Sequence, residues 1–529
     1  MTRPIHVLLA LGTLFSSAFA GAQKRKARAA GTAAPVVDAS QEIPPSKAME
    51  KAVKLYDGGD YYSSSIELHK VIEGETGDAQ PTQQKAEFYM GKTLYKLGFY
   101  SAALSYFDRI VQAGGAHSYW RATLKWLASL STKLPQSSGI LEKIGKYDRA
   151  ELEQPELEKV RDELVYLMGR WQYSQGNLKE ALSDFQAVPA QSDFYPRAKF
   201  FEGLTHVREY RAQDAAGAFK EILRHAIEHP DKPDIADYEA LANANLARVF
   251  YSTHQWESAI KYYDKLPPES SAWLQGLFES SWAFFQVDEF QKALGNIHSL
   301  NAPYFEREFF PESLVLKAVI YWKNCLYDRS EDAINELNAT YVPLRKELDG
   351  LLEQITDPLE FYEKAQAVRE GKSNLPAKVE KLVASLLRDR TVEKQFHYVD
   401  ELDRELAQVE GADASWKATA VASTILQDLT LQQSLAKNEG GQLARKRIER
   451  GRDEIQDLLA QAIKIEIETI NAMKGEAEAE LRGEQVIAAP GVVQTSVAVD
   501  DEHWQWPFQG EYWKDELASY RFKLRSKCK

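Results

Sequence analysis

The chain has 529 residues, 44% of them apolar and 27% charged, with 25 Tyr, 22 Phe and 11 Trp. That composition belongs to a folded protein with a large aromatic core, arranged as about three domains or as one long repeating array. The net charge of −13, from 65 basic against 78 acidic residues, excludes a general pull on nucleic acid, which rests on neutralising phosphates with Lys and Arg.

The first 22 residues open with one positive charge, Arg3, followed by an apolar run from Ile5 to Phe15 and the small residues Ala18-Phe19-Ala20. This is the layout of a secretory signal cleaved after Ala20 or Ala22. The competing reading, a membrane anchor, needs about 20 apolar residues, more than this run holds. A periplasmic protein is therefore expected, not an integral membrane one. Residues 23–46 are small, polar and Pro-containing, and read as a flexible linker. The two cysteines, Cys325 and Cys528, stand far apart in sequence. An exported compartment permits a bridge between them, but spacing alone leaves open a pair of separate thiols.

From Lys47 to Arg345 the chain is helical by pattern and repeats itself. In "YMGKTLYKLGFYSAALSYF", Gly91 is followed at +3 by Leu94, at +7 by Gly98, at +9 by Tyr100, at +12 by Ala103 and at +16 by Phe107. The offsets recur in "MGRWQYSQGNLKEALSDF" with Gly169, Gly176, Ala181 and Phe185, and in five further segments anchored at Ala52, Gly203, Ala247, Ser281 and Ala318. Small residues at +0 and +12 let two helices approach, large apolar ones fill the space between them, and the +7 residue sits at the turn. Ala181 and Ala215, and again Ala259 and Ala293, stand 34 residues apart. The pattern resembles the tetratricopeptide repeat, a helix-turn-helix unit of that period. Seven copies are recognisable, and the gap between Ala103 and Ala181 has room for one degenerate copy. The resemblance implies an all-α solenoid over residues 47–345.

Residues 346–483 stay helical without the repeat. One apolar stripe runs from Val379 to Leu406, and another takes in Ile455, Leu458, Leu459, Ile463, Ile467 and Ile470. These near-heptad stripes predict a long helical hairpin, a coiled-coil-like arm that continues the solenoid. The tail, residues 484–529, begins as a Val-rich extended piece and then gathers Trp504, Trp506, Phe508, Tyr512, Trp513, Tyr520 and Phe522. So aromatic a segment docks on the protein's own helices or serves as a partner-binding peptide.

Two motifs invite a catalytic reading. Gly91-Lys92-Thr93 matches the end of a phosphate loop, but that loop needs a glycine five residues earlier, where Ala86 stands, and a preceding strand. "HAIEH", His225 to His229, matches the inverted zinc-peptidase pattern with Glu228 as base. It also falls at the end of a repeat helix, before Pro230, where imidazoles favour the helix dipole. The non-enzymatic reading is preferred, with no cofactor and no metal, and a zinc hydrolase is the distant alternative.

What remains is a surface. In the repeat family the first helix of each unit lines the concave face, with residues one and four after the small anchor pointing inward. The resemblance thus implies a partner groove lined by Lys92, Tyr95, Arg170, Tyr173, Arg248, Tyr251, Trp282, Phe285 and Trp322. Aromatics interleaved with cations suit peptide binding; the same residues could equally pack one unit on the next. The layout and the close "DDEHWQWPFQGEYWKDELASY" are also similar to the secreted repeat proteins of the myxobacterial adventurous gliding motility machinery. That likeness implies partners in the bacterial envelope, with general outer-membrane or peptidoglycan assembly as the alternative process.

Overall fold

The computed structural model describes residues 45–232, 234–482 and 511–528. The signal, residues 23–44 of the linker, and Trp504, Trp506 and Phe508 lie outside them. The described residues are helical, with no strand among them.

Eight helix pairs follow one another. Unit one is α1 (Lys47–Asp57) with α2 (Tyr61–Ile72), and unit two is α3 (Gln80–Leu97) with α4 (Tyr100–Ala113). Unit three is α5 (Trp120–Ser131) with the short α6 (Ile140–Ile144), and unit four is α7 (Arg161–Gln175) with α8 (Leu178–Gln186). Unit five is α9 (Tyr195–Arg208) with α10 (Ala212–Glu228), and unit six is α11 (Ile235–Ser252) with α12 (Trp256–Tyr263). Unit seven is α13 (Trp273–Gln286) with α14 (Phe290–Leu300), and unit eight is α15 (Glu312–Lys323) with α16 (Tyr327–Gln354). The α16 helix runs through Pro343 and past Arg345, so the last unit outlasts the repeat pattern.

The pairing explains the offsets. A Cβ on Gly91 or Gly169 would come within 2.7 Å of the Phe107 or Phe185 ring, and one on Gly203 within 2.5 Å of Phe219. The +16 phenylalanine therefore sits directly on the +0 glycine. Where +12 is serine, a hydrogen bond joins the helices: Ser64 Oγ donates to the Ala52 carbonyl (2.9 Å) and Ser330 Oγ to that of Ala318 (3.0 Å).

The +7 residue has positive φ in all seven clear copies, between 54° and 84°. Glycine holds it at Gly59, Gly98 and Gly176, but Tyr210, His254, Asp288 and Cys325 take the same left-handed backbone. The conformation costs a side-chain-bearing residue about 1–2 kcal/mol, so the helix-turn-helix geometry imposes it.

Beyond Gln354 come α17 (Pro358–Arg369), α18 (Ala377–Leu387), α19 (Arg390–Glu410), α20 (Ala414–Lys417) and α21 (Ala420–Leu481). The stripe expected from Val379 to Leu406 is broken into α18 and α19 at Asp389, whose carboxylate caps α19 by accepting from Thr391 N at 2.9 Å. α19 and α21 form the hairpin, with Tyr398 Oη donating to Gln432 and Gln395 Nε2 to the Ala436 carbonyl. The second stripe does not keep to one face. Ile455, Leu458 and Leu459 are buried, whereas Ile463, Ile467 and Ile470 are 53–55% exposed. Steps of four residues overshoot a 3.6-residue turn, so the stripe winds from the packed side to the solvent side.

The hairpin docks on the solenoid. Trp416 of α20 stacks on Phe99 at 6.0 Å and donates from Nε1 to Ser65 Oγ at 3.0 Å. Gln408 Nε2 donates to the Leu97 carbonyl at 2.7 Å. Midway along α21, Arg452 pairs with Asp349 of α16 at 3.0 Å, and closer to its C-terminal end Thr469 Oγ1 lies 3.5 Å from Ser330 Oγ, also of α16. With 62 residues, α21 is about 93 Å long. It runs from units one and two to unit eight, and the first four units, the hairpin and much of unit eight share one apolar core. Units five to seven have smaller cores of their own.

Residues 511–528 lie across α14. Phe522 N donates to the Gln291 carbonyl (3.1 Å) and Ala518 N to Ser299 Oγ (2.8 Å). Tyr512 stacks on His298 at 4.2 Å, and Leu524 is buried. A Cβ on Gly295 would overlap the Tyr520 carbonyl, so only glycine admits the tail there. Cys528 is bonded to Cys325, which settles the open question of the two thiols and ties the tail to the last turn.

Candidate functional site

The nine expected groove residues stand on the first helices of their units, and most reach the neighbouring unit. Lys92 Nζ lies 4.0 Å from the Tyr89 ring, 4.4 Å from Tyr56 and 6.0 Å from Trp126, so one cation spans units one to three. Burial lowers its pKa. Tyr95 meets Trp126 edge-on at 5.3 Å. Two units on, Arg170 lies 4.6 Å over Phe201, and Tyr173 packs edge-on against the same ring. Arg208 covers Tyr173 at 4.7 Å and donates to its carbonyl.

In unit six Arg248 grips Glu279 of α13 through two bonds, Nε to Oε2 at 2.9 Å and Nη2 to Oε1 at 3.0 Å. Tyr263 Oη and Gln275 Nε2 also donate to that carboxylate, each at 2.9 Å. Tyr251 is buried against Trp256, and burial pushes its hydroxyl up to about 12. Phe285 is covered by Lys323 of unit eight at 5.0 Å and touches Trp282 at 5.8 Å.

The first helices thus carry a ladder of cations, aromatics and one bidentate ion pair that links unit to unit. Two donors stand out. The indole Nε1 atoms of Trp282 and Trp322 are buried and have no partner in hydrogen-bond geometry. Glu312 is close to Trp282; burial holds its carboxyl above the usual range, and the indole works against that.

In "HAIEH" the rings of His225 and His229 lie 4.5 Å apart, with His225 buried against Tyr195 at 5.2 Å and Glu228 and His229 exposed. Among the described residues no group of three His, Cys, Asp or Glu is placed to hold a metal ion. Lys92 and Thr93 lie inside α3, and Thr93 is buried.

Sequence reasoning passed over a polar cleft of about 520 Å³ between α8, α9 and α10. Its floor is the buried Glu202, which accepts from Lys199 Nζ at 2.7 Å and Gln186 Nε2 at 3.1 Å. His206 lies one turn on, with Nδ1 buried and unpartnered, and burial lowers its pKa. The signal was present: Lys199, Glu202 and His206 fall on one helical face.

No family model matches the chain, and no curated protein matches it. Solved structures of similar helical arrangement include the apo form of RapI, 12% identical over 66% of this chain and 98% of that one, with a TM-score of 0.33. The apo form of the quorum sensor NprR from B. thuringiensis is 13% identical over 72% of this chain and 97% of that one, with a TM-score of 0.31. At such scores the resemblance carries no functional argument. The chain is a helical-repeat solenoid on the strength of its own eight helix pairs, and no helix among the described residues is long and apolar enough to cross a membrane.

Proposed function

We propose that the chain is a non-enzymatic scaffold of the bacterial periplasm that gathers envelope proteins along its solenoid. The observation that carries this reading is the ladder on the first helices, aromatics and cations repeated from unit to unit, the chemistry that holds extended peptides. The signal-like first 22 residues support export. A finer reading, a component of the adventurous gliding motility machinery, rests on the resemblance of the repeat layout and the Trp-rich close; general envelope assembly is its rival.

Affinity purification from the native envelope, followed by mass spectrometry, is the test. The wild-type chain should recover a constant set of envelope proteins, and Trp322→Ala should lose part of it while keeping its helical content and melting temperature. N-terminal sequencing should find the chain cut after Ala20 or Ala22. Peptide hydrolysis by pure protein, abolished by His225→Ala, would overturn the scaffold in favour of the zinc hydrolase.

A further inference from the structure

The last third of α21 has two unlike sides. One packs on unit eight, where Ala462 and Thr469 are buried and Thr469 Oγ1 lies 3.5 Å from Ser330 Oγ. The other carries Ala460, Ile463, Ile467, Ile470, Lys474 and Ala477, all exposed. Successive members of this row are three and four residues apart in alternation, the spacing of a coiled-coil seam. Nothing among the described residues buries it.

We propose that this seam is a self-association surface, through which two copies of the chain pair antiparallel along α21. The helix is already formed and backed by unit eight, so pairing costs little ordering. The row is flanked by Lys464, Glu466, Glu468, Glu476 and Glu478, a net negative rim that disfavours a membrane surface and favours a second helix that leaves these charges in water. A parallel pair would set Lys474 against its own copy. The antiparallel pair that puts Ile467 opposite Ile470 of the second copy also puts Ile463 opposite Lys474 and Ala460 opposite Ala477. Large meets large and small meets small, and Glu466 of the second copy comes beside Lys474. Among the described residues Lys474 has only an exposed pairing with Glu478 at 3.8 Å, which is weak enough to exchange. The single Lys at a core position sets the direction of pairing at some cost in affinity. The seam spans about 26 Å.

Light scattering on the full exported chain, over a concentration series through the micromolar range, tests this. The expected result is a monomer–dimer equilibrium, abolished by Ile467→Glu/Ile470→Glu with unchanged helical content and melting temperature. Glu466→Lys and Lys474→Glu should each weaken the dimer several-fold, and the double charge swap should restore it. A chain that stays monomeric throughout overturns the proposal, whether its own residues or another protein covers the stripe. A dimer indifferent to the isoleucine variant overturns it too, and a double swap weaker than either single variant overturns the antiparallel register.

Discussion

Units one to four and units five to seven are built from the same helix pair, yet they are held differently. The first group shares its core with the hairpin and unit eight. The second has three small cores in series. In a bare solenoid each unit is stabilised only by its neighbours, and local opening is cheap. A long helix laid against distant units couples them and raises the cost of opening any one. The same repeat chemistry therefore yields a stiff region and a compliant one, and the difference lies outside the repeats.

The sharpest way to break that contrast is to undock the hairpin. Trp416 is 2% exposed and joins α20 to units one and two. Trp416→Ala should cost about 3–5 kcal/mol. Hydrogen exchange in α2 and α4 should then rise toward that of α11 and α13. Unchanged exchange in α2 and α4 would mean that the hairpin is decoration.

Next in size is a pair of identical substitutions. Gly441 of α21 faces the Pro358 carbonyl, and Gly295 faces that of Tyr520; a Cβ overlaps the facing backbone in both. Alanine favours a helix by about 1 kcal/mol, but overpacking costs about 1–3. Gly441→Ala should lower the melting temperature of the whole protein. Gly295→Ala should instead expose the tail to protease while the melting temperature hardly moves. Equal effects on both readouts would erase the distinction between regions.

A smaller effect is tied to pH. Glu405 of α19 is buried and accepts from Ser101 N at 2.6 Å and Ala102 N at 3.3 Å, at the start of α4. Burial lifts its carboxyl to about 7 despite those bonds. Because the folded value is raised, the stabilisation is complete below the ordinary carboxylate range and is lost as pH rises through 7. Melting temperature should therefore decline as pH rises from the ordinary carboxylate range to 7, and Glu405→Gln should flatten the curve. A wild-type curve no steeper than the variant's would refute it.

The smallest effect belongs to the compliant region. Tyr210 is 96% exposed and left-handed. Tyr210→Gly should stabilise unit five by about 1 kcal/mol, visible as slower exchange in α9 and α10. Faster exchange there would mean that the ring has an unrecognised role.

What could be read in the sequence was what repeats. The contact of Gly91 with Phe107 and the Ser64 and Ser330 positions follow from offsets seven copies long. The left-handed turn was legible at Gly98 and Gly176 but not at Tyr210 or Asp288, because there the backbone is imposed by the helix pair rather than chosen by the residue. Docking of the hairpin left no trace. Glu405 meets Ser101 across 304 positions, and Trp416 meets Ser65 across 351, each a single pairing with no period to announce it. For the candidate groove, the rows of Lys92, Arg170 and Arg248 were readable. That their charges are spent on Tyr56, Phe201 and Glu279 depends on the step between units, which no residue encodes alone.

The span of α21 from the first units to the eighth has a mechanical meaning. A spring of stacked helix pairs stretches by sharing strain among all its joints. With a strut fixed near both ends, a pull on units five to seven cannot lengthen the whole and must bend that segment alone, like a bow against its string. A partner seated there would feel a soft surface, while one attached to unit one or unit eight would pull on a stiff rod.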